Sequence, residues 1–424
     1  MKVVIVGSGG REHALALAVS KCKSLSELYC IPGNPGTNQI SKNINIDLHN
    51  FDSIGSFCSE HQIDLVIIGP EQPLVDGLSD YLRGINIKVF GPSSSAAKIE
   101  SSKSYAKEIM NAANVPTAKY EEFYLTDYTK VENFLRKSEY PVVIKVDGLA
   151  AGKGVIICNN FDEAINTFNT ISEEKIFSKS GNKILIEEFL TGEEASVFAI
   201  TDGEDFITLP AAQDHKRIGD GDTGKNTGGM GAYAPTPVIT EFLRQEVEEK
   251  IIRPVIFQLK KEGNPFIGCL YAGLMITSVG PKVIEFNCRF GDPETQVVLP
   301  LLEGDFLQLL YSAAEGRLDK NAVWYNGGSA VCVVAASEGY PDSYQKGFEI
   351  SGLDIFDPQI IIYHAGTIEK DGKILSNGGR VLGVTSVLNV FDIRKARDKA
   401  YDALKNIKFE NMYFRKDIAA KALK

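Results

Sequence analysis

Ile284-Glu285-Phe286-Asn287-Cys288-Arg289 alternates apolar and polar side chains. In an extended strand Glu285, Asn287 and Arg289 share one face, and Ile284, Phe286 and Cys288 share the other. A carboxylate, an amide oxygen and a guanidinium on one face make a poor core. They make a good site, with two hard oxygen donors for Mg²⁺, an ion commonly shared with nucleotide phosphates. The guanidinium adds a planar fork for a phosphate or a carboxylate. The competing reading is an edge strand with an ordinary Glu–Arg pair. Upstream, Asp214-His215-Lys216-Arg217 precedes a run from Gly219 to Gly231 with six glycines in thirteen residues. So much glycine is costly to order. Such a loop is disordered or wraps a ligand, and its charged flanks favour the ligand.

Two further glycine turns follow apolar runs. Val3-Val4-Ile5-Val6-Gly7-Ser8-Gly9-Gly10-Arg11-Glu12-His13 reads as strand, turn and helix start, a natural anion site. A dinucleotide fold is disfavoured, because Glu12 stands where a third glycine belongs and Pro32-Gly33-Asn34 replaces the ribose-binding acid. A smaller phosphorylated ligand fits better; a tight turn with no ligand is the alternative. The second turn, between Lys145 and Val155, resembles a P-loop only superficially. Gly148 lies one residue too close to Gly152-Lys153, and Gly154 replaces the magnesium-binding hydroxyl. A glycine loop between two strands suits a lid over phosphates, with Lys145 within reach of them; a surface hairpin with solvated lysines competes. Lys103 and Lys107 sit one helical turn apart and by themselves would be solvated. Glu187, Glu188, Glu193 and Glu194 crowd a strand exit, where they bind a cation, hydroxyls or amines, or form a solvated acidic turn.

A chain of 424 residues suits about three domains. It has 45 Lys and Arg against 55 Asp and Glu, a net charge of −10, which excludes a general binder of nucleic acid or anionic membrane. Hydrophobic residues at 44% argue against disorder. Seven scattered cysteines without a C-x-x-C give neither a disulfide framework nor a zinc site. The apolar run at the N-terminus is too short for a signal peptide. The longest stretch free of charged residues, 263–281, is broken by glycines and Pro265 and reads as strands rather than a membrane span. A soluble, cytoplasmic α/β protein is expected.

Four strands are predicted at Val3–Val6, Leu28–Ile31, Leu65–Ile68 and Val89–Phe90, in a parallel sheet with crossover helices. A helix is predicted over 103–113, closed by Pro116, and a long amphipathic helix over 240–262. Strands follow at 270–277 and 282–287, and a β-rich segment ends in a Lys-rich helix. The domains expected are an N-terminal parallel α/β domain (1–102), two lobes (103–192 and 193–326) and a small β-rich C-terminal domain (327–424).

A phosphate-covering hairpin, an acidic turn after a strand and a Glu-x-Asn metal strand together resemble the ATP-grasp fold. Within it, the 7–15 turn, Asp214–Arg217, Asn226–Gly231 and Arg289–Gln296 resemble the phosphoribosylamine–glycine ligase family of purine biosynthesis. The resemblance runs nearly end to end. It implies an ATP-dependent carboxylate–amine ligase whose substrates are ATP, glycine and 5-phosphoribosylamine, with a glycyl phosphate intermediate and Mg²⁺ or Mn²⁺. It implies no protein nucleophile, no nucleic-acid or membrane partner, a monomer, and no fused downstream purine enzyme. Lys107, Lys145, Gly148, Gly152, Lys153 and Gly154 would handle phosphates. Glu187, Glu188, Phe189 and Leu190 would line the adenine, and Glu194 would take the ribose. Arg217 and Asn226 would lie near the triphosphate. Glu285 and Asn287 would hold the metal. Arg289 and Asp214 would orient the substrates as catalytic groups, with Gly9, Gly10, Gly228 and Gly229 around the substrate. A mobile lid would close over ATP.

Overall fold

The computed structural model describes residues 1–149, 154–174 and 182–423. Its N-terminal sheet is parallel and five-stranded, in the order Lys42–Asn43, Glu27–Pro32, Lys2–Gly7, Leu65–Ile68, Val89–Phe90. Val3–Val6 and Leu65–Ile67 are fully buried, as continuous apolar runs in a parallel sheet covered on both faces must be. Strand order reverses at Lys2–Gly7: the chain runs outward on one side of it, then returns to the other. Ligand crevices form beyond the carboxyl end of a strand at such a reversal, which is where the Gly7–Gly10 turn lies. The short Lys42–Asn43 strand carried no sequence signal.

Two antiparallel four-stranded sheets follow. One runs Tyr120–Tyr124, Lys183–Glu188, Val142–Val146, Val155–Cys158; the other runs Phe206–Thr208, Glu193–Asp202, Ile267–Thr277, Gly280–Asn287. The C-terminal sheet is built on Ser329–Ser337, Arg380–Leu388 and Ile360–His364, with helix Ile393–Leu404 packed on it. It also takes in Gln213–Asp214 and Gly231–Ala234 from far upstream. Two segments flanking the glycine-rich loop are therefore strands of the C-terminal sheet.

The helix predicted over 240–262 is divided in three: Glu241–Val247, a π-helical turn Glu248–Ile252, and Arg253–Lys261. Pro254 explains the break. It lacks an N–H, and its ring would clash with the carbonyl four residues back, so the turn before it widens. All seven cysteines are free and buried. No helix among the described residues is long and apolar enough to cross a membrane.

The N- and C-terminal parts are joined by buried polar contacts. The His364 amide donates to His13 Nδ1 at 2.9 Å, and the Asn34 side chain donates to the carbonyls of Ser8 at 2.9 Å and His364 at 2.8 Å. Burial, and then the neighbouring His364, hold the His13 pKa down at about 3. His13 is thus neutral in the fold but titrates near 6.5 when unfolded. The unfolded state binds the extra proton, so His13 contributes a loss of ~1.4 kcal/mol per pH unit as pH falls from 6.5 toward 3. Urea unfolding across that range is expected to show a slope shallower by one proton in His13→Gln than in the wild-type chain.

Candidate active site

The site lies where the two antiparallel sheets meet the carboxyl end of the N-terminal sheet. Lys145 on Val142–Val146, Glu187 on Lys183–Glu188 and Lys107 on helix Lys103–Ala112 form a buried triad. Glu187 Oε2 is 2.8 Å from Lys145 Nζ, and Oε1 is 3.2 Å from Lys107 Nζ. Lys107 is only 2% exposed and also donates to Thr117 Oγ1 at 2.9 Å. Burial lowers its pKa to about 8, opposed by Glu187. Lys107 is therefore not the solvated side chain expected from its helix alone. Lys103 is half-buried, donating to the Gly148 carbonyl at 2.9 Å. Lys145 Nζ also donates to the Ile284 carbonyl at 3.1 Å, fastening the first sheet to the strand that carries Glu285.

Gly280–Asn287 is the edge strand of its sheet. Glu285 lies opposite Gly273, where an added Cβ would meet the Glu285 Cγ at 3.2 Å, so glycine leaves room for the carboxylate. Burial pushes the Glu285 pKa up, but Lys216, Lys145 and Lys103 outweigh it and hold the carboxylate charged. Asn287 lies two residues on, and its side-chain amide makes no hydrogen bond to the described residues. No group of three or more His, Cys, Asp and Glu among the described residues can hold a metal. Two hard oxygen donors with room for more suit a Mg²⁺-like ion that keeps waters or phosphate oxygens around it.

The strand ends at Asn287, so Arg289 lies just beyond the alternating face expected for it. Its guanidinium is already engaged: Nε is 3.2 Å from Glu71 and Nη2 is 3.0 Å from Glu100. Both acids come from the N-terminal part. Burial pushes the Glu71 pKa up, while Arg289 and Arg11 prevail and hold it at about 2. Glu100 also accepts from the Cys288 amide at 2.7 Å. Neither acid is among the residues that the sequence leads one to expect in the site. For Glu71 there was a signal, since Gly69-Pro70-Glu71 directly follows a parallel strand beside the order reversal.

Lys216 Nζ reaches Glu194 Oε2 at 2.9 Å and Glu285 Oε1 at 3.7 Å. Asp214, half-buried beside them, is pushed up to about 8 by burial, against the pull of Lys216. Arg217 and Asn226 pair across the ribbon of Arg217–Gly219 and Thr223–Asn226, and Arg217 donates to the Gly224 carbonyl at 2.7 Å. Glu188 is held by Lys282 at 2.9 Å and the Lys119 amide at 3.0 Å. Phe189 is exposed and Leu190 half-buried. Gly148 and Gly154 flank a segment whose Gly152 and Lys153 lie outside the described residues.

Gly9 and Gly10 start helix Gly10–Ser20, and the Gly9 amide donates to Glu12 Oε2 at 2.6 Å. Gly228 and Gly229 come close by through Arg380 of the C-terminal sheet. Arg380 Nη1 donates to the carbonyls of Gly228 and of Asp292, the latter at 2.6 Å, and Nη2 pairs with Asp292 Oδ2 at 3.0 Å. Gly229 has φ +109°, and a Cβ there would lie 2.4 Å from Pro293 Cδ, so both conformation and space require glycine. No local pattern marks Arg380, whose partners are distant in the chain. A cavity of about 520 Å³ opens beside the turn between Ser8, Gly33 and Asn34 and the C-terminal Ala365, Gly366 and Thr367.

The profiles of three phosphoribosylglycinamide synthetase domains match consecutive parts of the chain: the N domain at residues 1–100, the ATP-grasp (A) domain at 101–295 and the C domain at 330–421. Phosphoribosylamine–glycine ligase of Caldanaerobacter subterraneus is 46% identical over 99% of this chain and 100% of its own length. The ligase of the same name from Synechocystis is 46% identical over the full length of both. The crystal structure of phosphoribosylamine–glycine ligase from Thermotoga maritima superposes with a TM-score of 0.84 at 34% identity, covering 99% of this chain and all of that one. The biotin carboxylase domain of Hydrogenobacter thermophilus 2-oxoglutarate carboxylase is similar in fold alone, with a TM-score of 0.75 at 17% identity over 97% of this chain and 91% of that one.

Proposed function

Because this chain belongs to the phosphoribosylglycinamide synthetase family, we propose that the groups gathered between its sheets carry out that family's ATP-dependent ligation in the following roles. The reaction joins glycine to 5-phosphoribosylamine in purine biosynthesis and yields glycinamide ribonucleotide, ADP and phosphate. A glycine carboxylate oxygen attacks the γ-phosphorus of ATP, and ADP leaves. The amine of phosphoribosylamine then attacks the acyl carbon, inorganic phosphate leaves, and the nitrogen loses a proton. Positioning and charge neutralisation suffice for both steps, with no protein nucleophile.

Lys107, Lys145 and the 148–154 loop, Gly152 and Lys153 included, take the phosphates of ATP. Glu187 to Leu190 line the adenine, with backbone contacts at Phe189 and Leu190, and Glu194 takes the ribose. Arg217 and Asn226 face the triphosphate. ATP-grasp enzymes of this family use a divalent cation; here Glu285 and Asn287 hold it, as Mg²⁺ or Mn²⁺, and it draws charge off the phosphates. Arg289 and Asp214 orient the substrates, Gly9 and Gly10 approach the substrate phosphate, and Gly228 and Gly229 complete that wall. The lid hairpin shields the acyl phosphate from water. We further infer a cytoplasmic monomer. The observation that carries the assignment is that two buried lysines meet on Glu187 and that Lys145 ties them to the strand bearing Glu285 and Asn287.

The experiment is ADP release from purified protein with ATP, Mg²⁺ and glycine, with and without freshly generated phosphoribosylamine. Sustained turnover is expected only with both substrates present. ADP formed without either requirement would point to a different carboxylate or amine on the same fold.

A further inference from the structure

We propose that Lys216 is the resident cation of the site in which Glu285 receives a divalent metal, so that its ammonium must withdraw before the metal is seated. The proposal rests on the assignment of Glu285 and Asn287 as metal ligands. Lys216 Nζ bridges Glu194 and Glu285 at 2.9 and 3.7 Å. These are the carboxylates given to the ribose and to the metal, so one ammonium spans the ribose and metal positions. The other two lysines that bear on Glu285 have partners of their own: Lys103 holds the Gly148 carbonyl at 2.9 Å, and Lys145 holds Glu187 at 2.8 Å. Among the described residues the Lys216 ammonium forms ion pairs only with these two carboxylates, and Asp214 acts on it at longer range.

Its backbone is fixed. The Lys216 carbonyl accepts from the Thr227 amide at 2.7 Å and from Thr227 Oγ1 at 2.9 Å. The flexible four-carbon stem lets the head swing while the main chain stays put. A bare metal ion must therefore compete with an ammonium already in place, using only the few oxygens the protein supplies. A metal bound to nucleotide phosphates brings anionic oxygens that give the displaced ammonium a new partner. Lys216 thereby sets an order of binding in which the metal enters with its nucleotide.

Mn²⁺ binding to the full-length protein, followed by the electron paramagnetic resonance of free Mn²⁺, tests this with and without the non-hydrolysable β,γ-imido analogue of ATP. Without nucleotide, Lys216→Met is expected to bind Mn²⁺ ~10-fold more tightly than wild type, the factor for an occupant present about nine-tenths of the time. Lys216→Arg, which restores a cation, should keep the weak binding. Lys103→Met removes a charge that also bears on Glu285 but forms no ion pair with it, and should tighten binding by much less than Lys216→Met. With the analogue present, wild type and Lys216→Met should converge. Equal tightening in Lys103→Met and Lys216→Met, or none in either, overturns the proposal. If Lys216→Met does not fold, Lys216→Gln takes its place under the same criteria. Glu285→Gln separates the two readings: wild-type Mn²⁺ binding by that variant with the analogue would overturn the metal assignment itself.

Discussion

Glu285→Ala is expected to reduce ADP formation roughly 100-fold or more, the scale of losing one preorganised electrostatic group at a reacting centre. Glu285 stands at a sheet edge, on a strand whose other face is core, and its side chain is 38% exposed. Removing it leaves no cavity, and Lys216 keeps Glu194 as a partner at 2.9 Å. The variant should thus fold and unfold like the wild-type chain while turning over poorly. Steady-state ADP release against Mg²⁺ concentration reads the effect. Wild-type rates at limiting Mg²⁺ would remove Glu285 from the metal site.

Glu187→Ala should act on the fold itself. Its carboxylate, 4% exposed, separates two ammonium groups that are themselves buried. Breaking a buried ion pair by removing one member costs about 3–5 kcal/mol, because the remaining charge has no compensation; here two charges are stranded. Glu187→Gln should lose less, since its amide oxygen still accepts a hydrogen bond from one lysine. The pH dependence follows from Lys107. Burial already lowers its pKa to about 8, and loss of Glu187 lowers it further. The unfolded chain then binds more protons than the native one up to the ordinary lysine range, so raising pH from 7 toward 10 should recover part of the lost stability. Urea midpoints at those two pH values are the measurement. A Glu187→Ala midpoint equal to wild type would mean that the lysines find other partners or water.

The parts of this site legible in sequence were those set by local periodicity. The alternation from Ile284 to Asn287 placed Glu285 and Asn287 on a common face, while the bulge before it, which leaves Ile284 half-buried, carried no sequence signal; the glycine turn after Val6 marked the exit of a parallel strand. Fold class was legible for the same reason, because apolar runs punctuated by Gly and Pro recur along the N-terminal hundred residues. What escaped were contacts between distant segments. Arg289 looked like a free fork because its partner Glu71 lies 218 residues away. Lys107 looked solvated because nothing on its helix shows that Glu187 and Thr117 close over it. Arg380 carried no motif, since its value lies in the carbonyls it gathers from two other segments. The break in the long helix was legible only in Pro254, whose effect competes with an otherwise continuous amphipathic pattern.

The pairing of Gly231–Ala234 with Ser329–Ser337 constrains how such a protein can be recombined. A crossover at residue 327 treats the last hundred residues as a cassette, but the hydrogen-bond ladder runs across that seam into residues 213–234. A chimera joined there inherits a strand from one parent and its partner from the other, with the glycine-rich loop hanging between them. The unit that can be exchanged without disturbing the ladder is two separate stretches of chain. Inheritance of the C-terminal sheet is therefore tied to inheritance of the glycine-rich loop between residues 214 and 231.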